Sequence, residues 1–224
     1  MSELKIVTVV NDFDTFNDCI KNNEYLKDYE IIAFDNTKEN IGISKRYNSF
    51  IDSVKDEDDF WAAFLHQDFK FNENPLEKLE NLDKNCIYGA VGINRQLFYL
   101  QFRPKFIFKI YRRCMVGEIL QGNNDKKVGN RIIGAKNVIT LDCCCIIIHS
   151  SLLKNKLRFD ENLDFHMYAE DLCHSAKKLG IPSKVIQFEC RHLSGGNRNE
   201  ALTASAEYVK KKHKLWRISS TCFK

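Results

Sequence analysis

Three short apolar runs, each stopping at a cluster of polar side chains, constrain this chain more than anything else in it. Leu4 to Val10 stops at Asn11-Asp12, Tyr29 to Phe34 at Asp35-Asn36, and Phe60 to Leu65 at His66-Gln67-Asp68. Runs of this length, rich in β-branched and aromatic residues and not alternating with polar ones, predict strands buried on both faces, as in a parallel sheet. The intervening segments carry helical spacing. Phe13, Phe16 and Ile20, with the run on to Tyr25, fill the first gap; Ile43, Tyr47, Phe50, Ile51 and Val54, with Ser44 near the helix start, fill the second. Open sheets built this way bind ligands beyond the carboxyl ends of their strands, so the polar clusters mark a candidate nucleotide site.

The second half is less regular. Cys86 to Val91, Val138 to Ile148 and Lys184 to Phe188 read as strands, and Tyr168 to Leu179 as a helix ended by Gly180. Between them, Arg95 to Gly134 is irregular and interrupted by glycines. Its first part, Arg95 to Arg113, holds six basic and no acidic residues among aromatic ones. A chain of 224 residues, 44% apolar, buries one substantial core. The expectation is a single α/β domain whose central, mostly parallel mixed sheet is flanked by helices. It divides into a ligand-binding half (1–94), an acceptor-side and catalytic half (95–200) and a basic C-terminal helix or tail (201–224).

Several classes are set aside at this stage. No stretch of eighteen uncharged apolar residues occurs, and Met1 to Asn11 lacks the build of a signal peptide, so a cytoplasmic location is expected. Nine cysteines, with no C-x-x-C pair, suggest neither a disulfide framework nor a zinc ribbon, and the Cys143-Cys144-Cys145 triplet reads as buried thiols. The net charge of +4 is unevenly placed. Residues 1–94 carry 10 basic and 19 acidic side chains, residues 95–224 carry 24 and 11. The basic half can attract phosphate, anionic glycan, nucleic acid or a membrane surface.

Three constellations can carry chemistry. Asp68 ends an apolar run where a carboxylate can hold a hard cation such as Mg²⁺ or Mn²⁺, although an aspartate there is also an ordinary loop starter. Glu170 and Asp171 open a helix, as a proton-accepting pair or as simple complements to the helix dipole. His192 precedes Gly195-Gly196, as a metal ligand beside a phosphate-binding loop or as part of a surface turn.

Taken in order, KIVTVVND (5–12), FDNTKENIGISKRYNSFID (34–52), FLHQDF (64–69), LDCCCIII (141–148), RFDENLDFHMYAEDLCHSAKKLG (158–180) and RHLSGG (191–196) give a chain that resembles the bacterial family 2 glycosyltransferases and related glycosyltransferase-like proteins. The resemblance implies a GT-A-type, Rossmann-like fold and transfer of a sugar, with inversion, from a nucleotide-diphosphate donor to an acceptor hydroxyl in surface-glycan synthesis. UDP or GDP sugars are the default donors, and a glycan or lipid-linked molecule the acceptor. It implies that Asn11, Asp12 and Asp35 line the base and ribose, and that Asn36, Ser44 and Asn48 are the matching polar positions of the next loop and helix. Asp68 matches the last residue of the D-x-D metal motif. Its first position is held here by His66, which, with Gln67, falls on the donor side. Asp171 matches the acceptor-activating base with Glu170 beside it, His166 an acceptor-side position, and His192 the late histidine that completes a Mn²⁺ or Mg²⁺ site.

Other readings compete. A non-catalytic module binding sugar nucleotides or glycans would keep the same architecture, an alternative encouraged by His66. A nucleic-acid-binding role draws on segment 95–113 and on Lys210 to Arg217, but no RNA-binding signature is present and the net charge is small, so nucleic acid is not an expected partner. Ala201 to Lys224, with six basic residues and one acidic, reads either as a helix packed on the domain or as a peripheral contact with an anionic inner-membrane surface.

Overall fold

The computed structural model describes residues 3–94, 114–194 and 199–222. The three N-terminal runs become β1 (Glu3–Val10), β2 (Glu30–Asp35) and β3 (Phe60–His66), with β1 parallel to both others. β3 shows why they carry no polar alternation. Phe60, Ala62 and Phe64 enter the core on one face of the sheet, and Trp61, Ala63 and Leu65 the core on the other. The buried charge, Lys5, lies in β1 and is paired with Glu30 and Glu57.

After β3 the chain turns through Gln67-Asp68 into β4 (Phe69–Phe71) and reaches β5 (Ile87–Gly89), β6 (Gly92–Ile93), β7 (Met115–Gln121), β8 (Lys126–Asn130), β9 (Lys136–Val138), β10 (Thr140–Leu141) and β11 (Cys145–His149). β12 (Ser183–Val185) and β13 (Cys190–His192) follow the helix Tyr168–Lys178. The main sheet has the order β2-β1-β3-β11-β5-β12-β9. It is mixed: β5 and β12 are parallel, whereas β11 runs antiparallel to both β3 and β5, and β9 to β12. The second sheet has the order β10-β6-β7-β13-β4, with β8 on β7. Because β4 continues directly from β3 and pairs with β13, His192 sits opposite Phe69, one residue from Asp68. That register brings two sequence-distant polar clusters together.

Four helices, Ile43–Ser53, Ser150–Asn155, Tyr168–Lys178 and Glu200–Lys212, contribute to the core on one face. The fold is α/β with a mixed central sheet flanked by helices, as expected. Local departures have local causes. The first helix spans only Phe13–Phe16 before a π turn, Asn17–Lys21, and does not reach Tyr25. Val138 to Ile148 is not one strand but parts of β9, β10 and β11, because Asp142 takes the Cys144 N–H on its side chain (3.0 Å) and breaks the run. β12 stops at Val185, and beyond it the Gln187 amide bonds both the N–H and the C=O of Glu118.

The C-terminal helix is capped by Asn199, whose side chain accepts the Leu202 N–H (2.9 Å), and buries Leu202, Ala206 and Val209. The chain then returns to the core: Ser219, Ser220 and Thr221 are buried, and Thr140 Oγ1 donates to Ser219 O (2.9 Å). Among the described residues no helix is long and apolar enough to cross a membrane. The basic aromatic segment 95–113 and the Gly195-Gly196-Asn197 part of the late loop lie outside the described residues.

Candidate functional site

A cavity of about 410 Å³ opens at the carboxyl ends of the N-terminal strands. Asn11 follows β1, Asn36 follows β2, and His66, Gln67 and Asp68 finish β3; all line it. Gln67 ties two of these ends together, its side-chain oxygen accepting the N–H groups of Asn11 (2.8 Å) and Asp12 (3.1 Å). Asn36 donates to Ile41 O (2.6 Å) and accepts from Arg46 Nε (3.0 Å), which fixes the loop along one wall. Asp164 and Phe165 form the opposite rim. The walls meet at Gly42, where a Cβ would stand 2.2 Å from Asp164 Oδ1 and 3.1 Å from its Cα, so any larger residue would have to turn the Asp164 carboxylate away.

At one end of the cavity His66, Asp68 and His192 each offer a ligand atom, all within 4.8 Å of one another. His192 Nε2 lies 3.2 Å from Asp68 Oδ1, and the Ser194 N–H donates to Asp68 Oδ2 (3.0 Å). Burial alone would raise the Asp68 carboxyl, but the His192 hydrogen bond and neighbouring imidazoles hold it well below the usual carboxylate range. Burial, reinforced by the nearby His192, pushes His66 down to about 4, leaving its imidazole neutral. A neutral imidazole, a second histidine and an ionised carboxylate are the donor types a divalent cation takes, so the residues present fit such an ion. The His66 ring also stacks on Phe165, with centroids 6.0 Å apart and planes 14° apart.

Other residues singled out from sequence lie away from the cavity, each for a structural reason. Asp12 caps the first helix, accepting the N–H groups of Asp14 (3.0 Å) and Thr15 (3.3 Å). Asp35 turns back on Thr37, accepting its N–H (2.8 Å) and hydroxyl (2.7 Å). Ser44 is buried and donates to Leu163 O (2.7 Å), and Asn48 binds the backbone of Phe159. His166 packs edge-on against Phe165 and does not line the cavity. Glu170 and Asp171, placed by resemblance at the acceptor, are each 1% exposed and face the C-terminal segment. Asp171 accepts from His213 Nε2 (2.7 Å) and Lys212 Nζ (2.8 Å), and Glu170 accepts from Ser220 Oγ.

Sequence reasoning passed over Asp164, Phe165 and Ser194 as individual site residues. Asp164 and Phe165 belong to the FDENLDFHMYAED block, but nothing in that block's spacing says which of its carboxylates turns inward. An aromatic side chain left 50% exposed, as Phe165 is, becomes informative only once the cavity beside it is known.

Comparison of the sequence with protein-family models and with curated proteins finds no match. Among solved structures, GalNAc-T7 with UDP, GalNAc and Mn²⁺ superimposes with a TM-score of 0.56 at 10% identity, over 96% of this chain and 49% of that one. The chain thus spans about half the length of that protein, and the likeness defines the class: a mixed α/β fold of the GT-A type. More distant matches are A197 from STIV (TM-score 0.46, 16% identity, 87% of this chain and 86% of that one) and the inositol-1-phosphate CTP transferase from T. maritima (0.43, 12%, 94% and 98%).

Proposed function

We propose that the chain is a glycosyltransferase that takes a nucleotide-diphosphate sugar into this cavity and transfers the sugar, with inversion, to an acceptor hydroxyl. The observation that carries the reading is the convergence of Asn11, Asn36 and the His66-Gln67-Asp68 turn with His192 at the carboxyl ends of the strands, where an open α/β sheet binds ligands. The GT-A fold, shared with a protein solved with UDP, GalNAc and Mn²⁺, supports it.

In this reading the amides of Asn11, Asn36 and Gln67 hydrogen-bond the base and ribose, and Phe165 offers an apolar face to the sugar. His66, Asp68 and His192 would hold Mn²⁺ or Mg²⁺, whose charge would offset that of the diphosphate. Asp164, the cavity-lining carboxylate other than Asp68 among the described residues, accepts the acceptor's hydroxyl proton. The freed oxygen attacks the anomeric carbon from the face opposite the nucleotide. The bond to the diphosphate breaks, its electron pair leaves with the nucleotide, and the configuration inverts. Glu170 and Asp171 serve instead to seat the C-terminal segment. The acceptor is a glycan or a lipid-linked glycan, approached with help from the basic tail.

Calorimetric titration with UDP, GDP, CDP and dTDP, each with and without Mn²⁺, tests this. One nucleotide should bind, more tightly with metal, and Asp68→Ala should abolish the metal effect. If no nucleotide binds, the proposal fails. Binding without donor hydrolysis or transfer makes the chain a sugar-nucleotide-binding module of the same fold.

A further inference from the structure

The cation centre is richer in nitrogen than in oxygen. Asp68 is its one carboxylate, and both of its oxygens already have partners: Oδ2 accepts the Ser194 N–H (3.0 Å) and Oδ1 lies 3.2 Å from His192 Nε2. The other two donors are imidazoles. Whether an imidazole can bind a cation depends on which nitrogen carries the lone pair, and for His66 the surrounding bonds decide this. Tyr168 Oη lies 2.9 Å from Cys143 O and 2.9 Å from His66 Nε2. A carbonyl can only accept, so the single phenolic proton goes to Cys143. The Tyr168 oxygen is then an acceptor toward His66, and Nε2 must carry the hydrogen. In a neutral imidazole that leaves Nδ1 with the free lone pair.

The arrangement is rigid. Tyr168 is fully buried, opens the helix Tyr168–Lys178, and is wedged against the rings of Tyr47 and Phe159, each 6.0 Å away. The relay from the Cys143 carbonyl through Tyr168 to His66 is the kind of outer support that orients a metal-binding histidine.

We propose that His66, held as its Nε2–H tautomer by Tyr168, makes this centre selective for transition-metal ions of the Mn²⁺, Co²⁺ and Zn²⁺ class over Mg²⁺, with Tyr168 as the positioning residue. Imidazole nitrogen suits those ions, whereas Mg²⁺ demands oxygen donors in near-octahedral array and gives up its water reluctantly. One carboxylate with two imidazoles is a poor offer to Mg²⁺. The inference rests on the cavity being the cation site of the proposed transferase, but it concerns the protein's own donors and is read without any nucleotide.

The test is titration of the full chain with Co²⁺, followed by its visible absorption, then competition with Mg²⁺. Co²⁺ should bind with the absorption of a nitrogen-containing site, and a large molar excess of Mg²⁺ should leave it in place. Tyr168→Phe keeps the ring and removes the relay, and should weaken Co²⁺ binding by about 10- to 100-fold. His66→Asp should bring Mg²⁺ into effective competition. Displacement of Co²⁺ by equimolar Mg²⁺ in the unaltered protein overturns the proposal, as does unchanged Co²⁺ affinity in Tyr168→Phe. Should that variant not fold, His66→Gln carries the same test, and undiminished Co²⁺ binding there is equally fatal. The two readings fail separately: Co²⁺ binding without nucleotide binding defeats the transferase, and nucleotide binding equally promoted by Mg²⁺ and Mn²⁺ defeats the selectivity.

Discussion

Glu170 and Asp171 are adjacent and almost wholly buried, yet the fold gives them opposite company. Asp171 meets the Lys212 ammonium and the His213 imidazole. Glu170 meets one hydroxyl, that of Ser220, and its Oε2 has no hydrogen-bond partner among the described residues. Burial accordingly pushes the Glu170 carboxyl up from 4.5 to about 7. The folded chain keeps a proton there that the unfolded chain releases, so this contribution to stability is complete below the ordinary glutamate value and is lost as pH rises through about 7. Glu170→Gln should remove a loss on the order of 1–3 kcal/mol between pH 5 and 8, seen as a smaller difference in Tm between those pH values; an unchanged difference would contradict the assignment. Asp171→Asn removes the buried acceptor that Lys212 and His213 share, though Lys212 keeps Asp160 (2.7 Å), and should cost about 1–3 kcal/mol, while nucleotide affinity stays. Asp164→Asn should do the reverse, cutting transfer by roughly 10²- to 10⁴-fold with stability and donor binding kept. Loss of transfer in Asp171→Asn at unchanged Tm would return the proton-accepting role to that residue. Asp68 was legible because it ends an apolar run, and His192 because it precedes Gly195-Gly196 and matches the late histidine of the resembled family. Asp164 was not, since the direction of a side chain in a loop depends on what the loop packs against.

At the scale of elements, the cavity's rim depends on the helix Ile43–Ser53 gripping the loop that carries Asp164 and Phe165. Asn48 donates to Phe159 O (2.9 Å) and Glu161 Oε1 (2.9 Å) and accepts the Phe159 N–H (3.0 Å), while Ser44 donates to Leu163 O. Arg158 adds a two-pronged contact with Asp52 (2.7 and 2.8 Å). Asn48→Ala leaves a buried peptide group unsatisfied at both ends. It should lower stability by about 2–3 kcal/mol, measured by urea unfolding, and weaken nucleotide binding because the rim loosens. Equal affinity in that variant would show that the rim does not touch the donor. The helix itself was readable from its apolar spacing, and so was the polar character of Ser44 and Asn48. Their partners, more than a hundred residues away, were not.

Across the whole molecule, the sheet's parallel start was legible because β1, β2 and β3 are six to eight residues long and mostly apolar, with no regular polar alternation. The insertion of β11 against the direction of its neighbours was not, nor was the second sheet. Its strands run from two to seven residues, and the two- and three-residue ones are too short to show a period, so their pairing is settled by tertiary contact. The C-terminal segment shows the same limit: a helix packed on the domain was one of its two readings, and Leu202, Ala206 and Val209 are buried, but nothing in the sequence marked Ser219, Ser220 and Thr221 as buried against the core.

This closure also orders events in time as the polypeptide is made. The helix that carries the acidic pair leaves the ribosome 42 residues ahead of His213 and 50 ahead of Ser220. Until those residues emerge, two carboxylates destined for a dry interior have no protein groups to meet them and must stay hydrated. The acidic pair therefore stays hydrated until Lys212, His213 and Ser220 have been made and can cover it.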